Sequence, residues 1–325
     1  MTHARHRLFM ILVCSIFGIS LMAIALWFTL SFVSSALFAK PARAAAKTMS
    51  GSYVRIKGNT IHYVKAGQGP PIVLVHGFGA WSFTWRKNIK PLSKHFTVYA
   101  IDLLGFGLSD KPKDGPYSVE AQASLVAAFM RKMGLKDVTL IGNSLGGEIA
   151  LLTASRYPDT VSSLVLIDST GYRRTPDIPA WAPRPLLRAG LKVLLVNRLR
   201  VINTLRLAYY NKRLISGDVV DGYYLPVRTH GVTEALTAMA AQLKIGYAKN
   251  EIAGIDKPVL IIWGEHDEII PLVDAYKFHA ALRYSQVMVI KDSGHVPQEE
   301  TPDTLNRLIT EFLAEPAQER RARER

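Results

Sequence analysis

Between Tyr53 and Leu313 short apolar runs rich in Val and Ile alternate with stretches of helical spacing. That alternation predicts a largely parallel sheet covered by helices. Tyr53–Ile56 and Ile61–Lys65 predict an opening hairpin around Gly58-Asn59. Ile72–His76 (IVLVH), Thr97–Asp102 (TVYAID) and Val138–Gly142 (VTLIG) predict buried strands, as do Val161–Asp168 (VSSLVLID), Val259–Gly264 (VLIIWG) and Gln286–Ile290 (QVMVI). Helical spacing covers Val119–Lys132, Leu145–Tyr157, Leu272–Leu282 and Thr301–Leu313. Between Asp168 and Val259 the alternation stops, and an interval of that length carries helices of its own. There Arg184, Arg188 and Lys192 fall four apart, with Leu187, Leu191 and Leu194 on a neighbouring face. A second amphipathic helix is expected around Val201–Tyr210.

The start of the chain has a different pattern. From Leu8 to Ala39 no residue is Asp, Glu, Lys or Arg. A helix needs about 20 apolar residues to cross a bilayer, whereas a secretory signal uses an apolar stretch of only about 7–15. The expectation is an uncleaved, single-pass transmembrane helix. Arg5 and Arg7 precede it and Lys40, Arg43 and Lys47 follow it, so flanking charge does not assign a side of the membrane. The division expected is an anchor and linker (1–50), a first core segment (51–171), a helical lid (172–255), a second core segment (256–315) and a flexible tail (316–325).

Composition narrows the class. The chain has 325 residues, 49% of them hydrophobic and 20% charged, which excludes a disordered or coiled-coil chain. Cys14 is its single cysteine, which excludes a disulfide scaffold and cysteine-based metal centres. The net charge is +14, and residues 172–255 hold thirteen basic against five acidic residues. No nucleic-acid recognition motif accompanies this charge. An anionic membrane surface is the partner it implies.

Candidate chemistry begins at Gly142-Asn143-Ser144-Leu145-Gly146, which leaves a predicted strand and opens a predicted helix. In that context a tight turn lifts the serine hydroxyl above the sheet. A hydroxyl is a weak nucleophile at neutral pH and needs a base and an orienting acid. Of the nine histidines, His295 follows the last predicted strand; His266 lies on the preceding exit loop and His279 in a helix. Asp267, in Gly264-Glu265-His266-Asp267, is the expected acid, with Glu265, Glu268 and Asp168 as alternatives. An oxyanion needs two N–H donors. Those of Leu145 and of Phe78, in His76-Gly77-Phe78-Gly79, are so placed. No metal or cofactor is called for.

HGFG at 76–79, DLLGFGLSD at 102–110, GNSLGG at 142–147, WGEHD at 263–267 and SGH at 293–295 stand in order on the expected elements. With them the chain resembles the α/β-hydrolase fold family over residues 51–315. The resemblance implies a mostly parallel, twisted sheet of about eight strands flanked by helices, a lid after the sixth strand, and serine hydrolase activity. It implies a structural turn at Asp102, Gly105, Gly107 and Ser109. Ser144 sets the chain apart from epoxide hydrolases and haloalkane dehalogenases of this fold, which use an aspartate, although Phe83-Thr84-Trp85-Arg86 is similar to the dehalogenase branch. Carbon–carbon bond hydrolases share the GNSxGG elbow but have an aromatic residue after the histidine, where this chain has Val296. Cofactor-free haloperoxidase-like members share the triad. The anchor and the basic, leucine-rich lid favour a lipid-like ester substrate, as in membrane-bound monoacylglycerol lipases and carboxylesterases. Trp81 and Trp85 are expected to line an acyl pocket, with Phe83, Tyr209, Tyr210, Tyr223 and Tyr224 nearby. A non-catalytic, membrane-tethered binding module is the reading from another class, and it would require a missing triad position.

Overall fold

The computed structural model describes residues 49–172, 197–242, 246 and 251–315. The apolar run 8–39, the helix expected at 184–192 and the tail 316–325 lie outside these residues. Among the described residues no helix is long and apolar enough to cross a membrane.

The strands are β1 (Ser52–Ile56), β2 (Asn59–Ala66), β3 (Pro71–Val75), β4 (Thr97–Ile101), β5 (Val138–Asn143), β6 (Val161–Ile167), β7 (Val259–Gly264) and β8 (Ser285–Ile290). They form one sheet in the order β1-β2-β4-β3-β5-β6-β7-β8. β2 pairs antiparallel with β1 and β4, and every pairing from β4 through β8 is parallel. The helices are α1 (Val119–Lys132), α2 (Leu145–Arg156), α3 (Arg198–Ala208), α4 (Gly217–Val227), α5 (Val232–Gln242), α6 (Val273–Ala281) and α7 (Pro302–Ala314). α3, α4 and α5 fall within the interval between β6 and β7.

Alternate side chains of a strand point to opposite faces, so central strands apolar at every position feed two cores. Val73, Val75, Leu140, Leu164 and Ile261 pack on one face with Phe129 of α1, Ile149 of α2 and Phe278 of α6. Ile72, Leu74, Ile141, Val165 and Ile262 pack on the other with Ile309 and Phe312 of α7 and with Leu205 and Tyr223 of α3 and α4. Each fully buried Val, Ile or Leu contributes about 1.5–3 kcal/mol. Helix ends follow local chemistry. Ser118 caps α1 by accepting the Ala121 N–H at 3.2 Å, and Arg131 and Lys132 lie in its last turn, near the negative end of the helix dipole.

The expected turn at 102–110 is built around one buried carboxylate. Asp102 Oδ1 accepts the Ser82 N–H at 2.7 Å, and Oδ2 lies 2.8 Å from both the Leu108 nitrogen and His62 Nδ1. Burial opposes ionisation, yet the His62 contact and the Leu108 N–H outweigh it and hold Asp102 below its ordinary range. Removing the carboxylate leaves buried donors unpaired, at about 1–3 kcal/mol each. Asp102→Ala is therefore expected to lower the unfolding free energy by about 3 kcal/mol or more, measured by urea denaturation.

Candidate active site

Chain order 4-3-5 at the middle of the sheet puts the topological switch between β3 and β5, where open parallel sheets bind ligands beyond their carboxyl ends. Ser144 follows β5 at that point, with φ 56° and ψ −123°. A non-glycine residue there stores strain that the surroundings must hold. Gly146 permits the turn, because a Cβ on it would lie 2.2 Å from the Val75 carbonyl oxygen. Gly77 permits the loop after β3 to press against the serine, since its Cβ would approach the Ser144 Cβ to 3.0 Å. Phe78 follows it, half exposed, with its ring edge-on to Phe106. Among the described residues neither the Phe78 nor the Leu145 N–H makes a hydrogen bond.

His295, after β8, is held on three sides. Its Nδ1 lies 2.8 Å from Asp267 Oδ2. Its N–H donates to the Ala208 carbonyl at the end of α3, at 2.7 Å, and its own carbonyl accepts Asn143 Nδ2 at 3.0 Å. Asn143 directly precedes Ser144, so one side chain ties the serine turn to the histidine loop. Asp267 is positioned in turn by the Ile269 and Ile270 N–H groups, at 2.7 and 3.0 Å on Oδ1. Asp168, at the end of β6, also reaches this cluster: one polar atom each of Asp168, Asp267 and His295 lies within 4.8 Å of the other two. Burial, and then the Asp267 charge, push the Asp168 carboxyl well above its usual range. Glu265 sits beside His266 at 3.7 Å on the exposed side of the loop, and Tyr210 stacks on the His266 ring. His279 bonds Ser285, on β8.

The two tryptophans expected in an acyl pocket lie in the interior. Trp81 and Trp85 are 0% exposed and belong to the second core. Trp81 donates Nε1 to the Gly222 carbonyl in α4 and stacks on Phe83.

A buried network went unread in the sequence. The Glu299 carboxylate is fully buried and pairs with Arg86 Nη2 at 2.6 Å. It accepts Thr84 Oγ1 at 3.0 Å and the hydroxyls of Tyr209 and Tyr223, from the end of α3 and from α4. Burial and the neighbouring Glu299 charge push both phenols well above their usual range. This carboxylate joins the inserted helices to the loop that carries His295. The sequence signal was the Gln298-Glu299-Glu300 run two residues beyond the SGH segment, unremarkable without its partners.

A family model described as alpha/beta hydrolase fold matches residues 70–302. An uncharacterized hydrolase, YugF of Bacillus subtilis strain 168, is 31% identical over 254 residues, covering 78% of this chain and 92% of that protein. A 2-hydroxy-6-oxo-2,4-heptadienoate hydrolase of Pseudomonas putida is 30% identical over 261 residues, covering 76% and 90%. Among solved structures, a membrane phospholipase A described as a bacterial virulence factor superposes with a TM-score of 0.69 at 27% identity, covering 92% of this chain and 97% of that one. The chain belongs to the alpha/beta hydrolase fold family. It is a hydrolase of that fold, and the proteins it is similar to include a 2-hydroxy-6-oxo-2,4-heptadienoate hydrolase and an esterase.

Breaking a buried ion pair by removing one partner costs about 3–5 kcal/mol. Glu299→Leu leaves the Arg86 charge and the Tyr209 hydroxyl without their buried carboxylate partner, and is expected to cost at least that lower figure in urea denaturation.

Proposed function

We propose that this chain is a membrane-anchored serine hydrolase that cleaves carboxylic esters, with lipid-like substrates such as acylglycerols. The observation that carries the chemistry is the 2.8 Å contact between His295 and Asp267, tied through Asn143 to the strained turn at Ser144. In this reading Asp267 accepts the Nδ1–H of His295 and leaves Nε2 as the base. His295 takes the Ser144 proton as Oγ attacks the ester carbonyl. The Phe78 and Leu145 N–H groups receive the oxyanion. His295 then gives that proton to the departing alcohol, and a water molecule repeats the sequence on the acyl-enzyme. Four features support a lipid-like substrate. They are the apolar run 8–39, the basic lid interval, the likeness to a membrane phospholipase A, and the α3 surface. On that surface Leu199, Leu207 and Tyr210 are exposed among Arg200, Arg206, Lys212 and Arg213. Each basic residue beside an anionic leaflet contributes about 1 kcal/mol.

The Pseudomonas putida relative favours a second reading, hydrolysis of a carbon–carbon bond by the same three side chains. Ester and ring-cleavage substrates offered to the same preparation separate the two.

A fluorophosphonate is expected to label the wild type and not Ser144→Ala; an unlabelled wild type would instead indicate a silent binding module. Asp267→Asn is expected to lower ester turnover by about 10⁴, as in the analogous protease triad. In detergent-solubilised protein, decanoyl esters are expected to outrun acetyl esters, and anionic vesicles to raise the rate further. Much faster acetyl turnover would remove the lipid half of the proposal.

A further inference from the structure

We infer that Asp168 holds a proton against Asp267 and serves as a positioning residue for the Asp267–His295 pair, not as a second charged acid. The inference rests on the serine-hydrolase reading of Ser144, His295 and Asp267.

Two buried carboxyl groups within 4.8 Å of each other repel strongly when both are ionised, and one proton between them removes the repulsion. The hydrogen bonds say which residue carries it. Asp267 receives three: His295 Nδ1 at 2.8 Å, Ile269 N–H at 2.7 Å and Ile270 N–H at 3.0 Å. Donors of this kind stabilise the charged form. Asp168 receives one, from the Gly264 N–H to Oδ1 at 2.9 Å. Its Oδ2 is buried and finds no donor. An orphaned, buried carboxylate oxygen is costly, whereas a protonated one becomes a donor, and the Asp267 carboxylate belongs to the same cluster. The charged groups facing Asp168 agree. They are Asp267 and Glu300, both acidic, with the His295 imidazole in the same cluster. The strong upward displacement of the Asp168 carboxyl follows from the same surroundings.

Backbone conformation holds the group in place. Asp168 has φ 45°, a left-handed position that Asp and Asn tolerate better than other side chains, and its N–H bonds the Ile262 carbonyl. The proton on Oδ2 acts on catalysis through Asp267. It fixes the carboxylate rotamer that aligns the imidazole, and it draws charge from the oxygen facing Nδ1. An imidazolium on His295 is then stabilised less before the reaction, and Nε2 stays available as a base at neutral pH. Loss of that donor concentrates charge on Asp267 and favours the imidazolium at rest.

The test compares kcat and KM against pH for full-length wild type, Asp168→Ala and Asp168→Asn, on a p-nitrophenyl ester in detergent. Thermal melts run alongside. Asp168→Ala is expected to lower kcat about tenfold with little change in KM, and to move the acid limb of the profile up by about one pH unit. Asparagine keeps an N–H donor and the left-handed backbone, so Asp168→Asn is expected to rescue most of the lost kcat and return the acid limb. Asp168→Ser, with a hydroxyl too short to reach Asp267, replaces the alanine variant if that one does not fold. The low-field proton resonance of the His295–Asp267 bond should move in Ala and return in Asn. An unmoved acid limb in Ala, or an asparagine variant that fails to rescue, overturns the inference. So does activity lost to EDTA and restored by a divalent cation, which would place a cation in the cluster. Fluorophosphonate labelling of wild-type Ser144 reports separately on the serine-hydrolase reading, so the two can fail independently.

Discussion

Parallel strands emerge on the same side of a sheet, and in this protein that constraint gathers the chemistry. β3, β5, β6, β7 and β8 run parallel, and each ends at a residue or loop of the candidate site. The order of the ends matters as much as their direction. β5 and β3 adjoin, so the Gly77 loop abuts Ser144; β6 and β7 adjoin, so Asp168 and Asp267 share a space; β7 and β8 adjoin, so His295 reaches Asp267. Two buried cores, one on each face, keep those strand ends in register.

The inserted helices are part of this site in a specific way. The last carbonyl of α3 holds the His295 N–H, and the residue after it, Tyr209, donates to Glu299 beyond the same loop. The position of the histidine backbone therefore depends on where α3 ends. Buried charge makes that dependence strict, because Glu299 and Arg86 tolerate no partial separation without exposing an unpaired ion.

Strands, most helix bounds and the small-residue turns were legible because each rests on nearby residues. Helical spacing at Val119–Lys132 coincides with α1, and the segment expected around Val201–Tyr210 is α3, at Arg198–Ala208. The pairing of Asp267 with His295 was legible as an expectation from chain order. That Trp81 and Trp85 lie in the second core was not legible, because aromatic character alone does not tell a pocket wall from a core. The Glu299 network was hidden, since Thr84 and Glu299 stand 215 residues apart.

Local order along the chain was enough to specify the strand-and-helix alternation, the tight turn around Ser144 and the family. Those features depend on side-chain periodicity and on glycines a few residues apart. Folding alone decided that Asp168 and Asp267 are neighbours, and that α4 meets Trp81. Separation along a polypeptide carries no record of distance in space, and the state of a carboxyl group follows from what surrounds it.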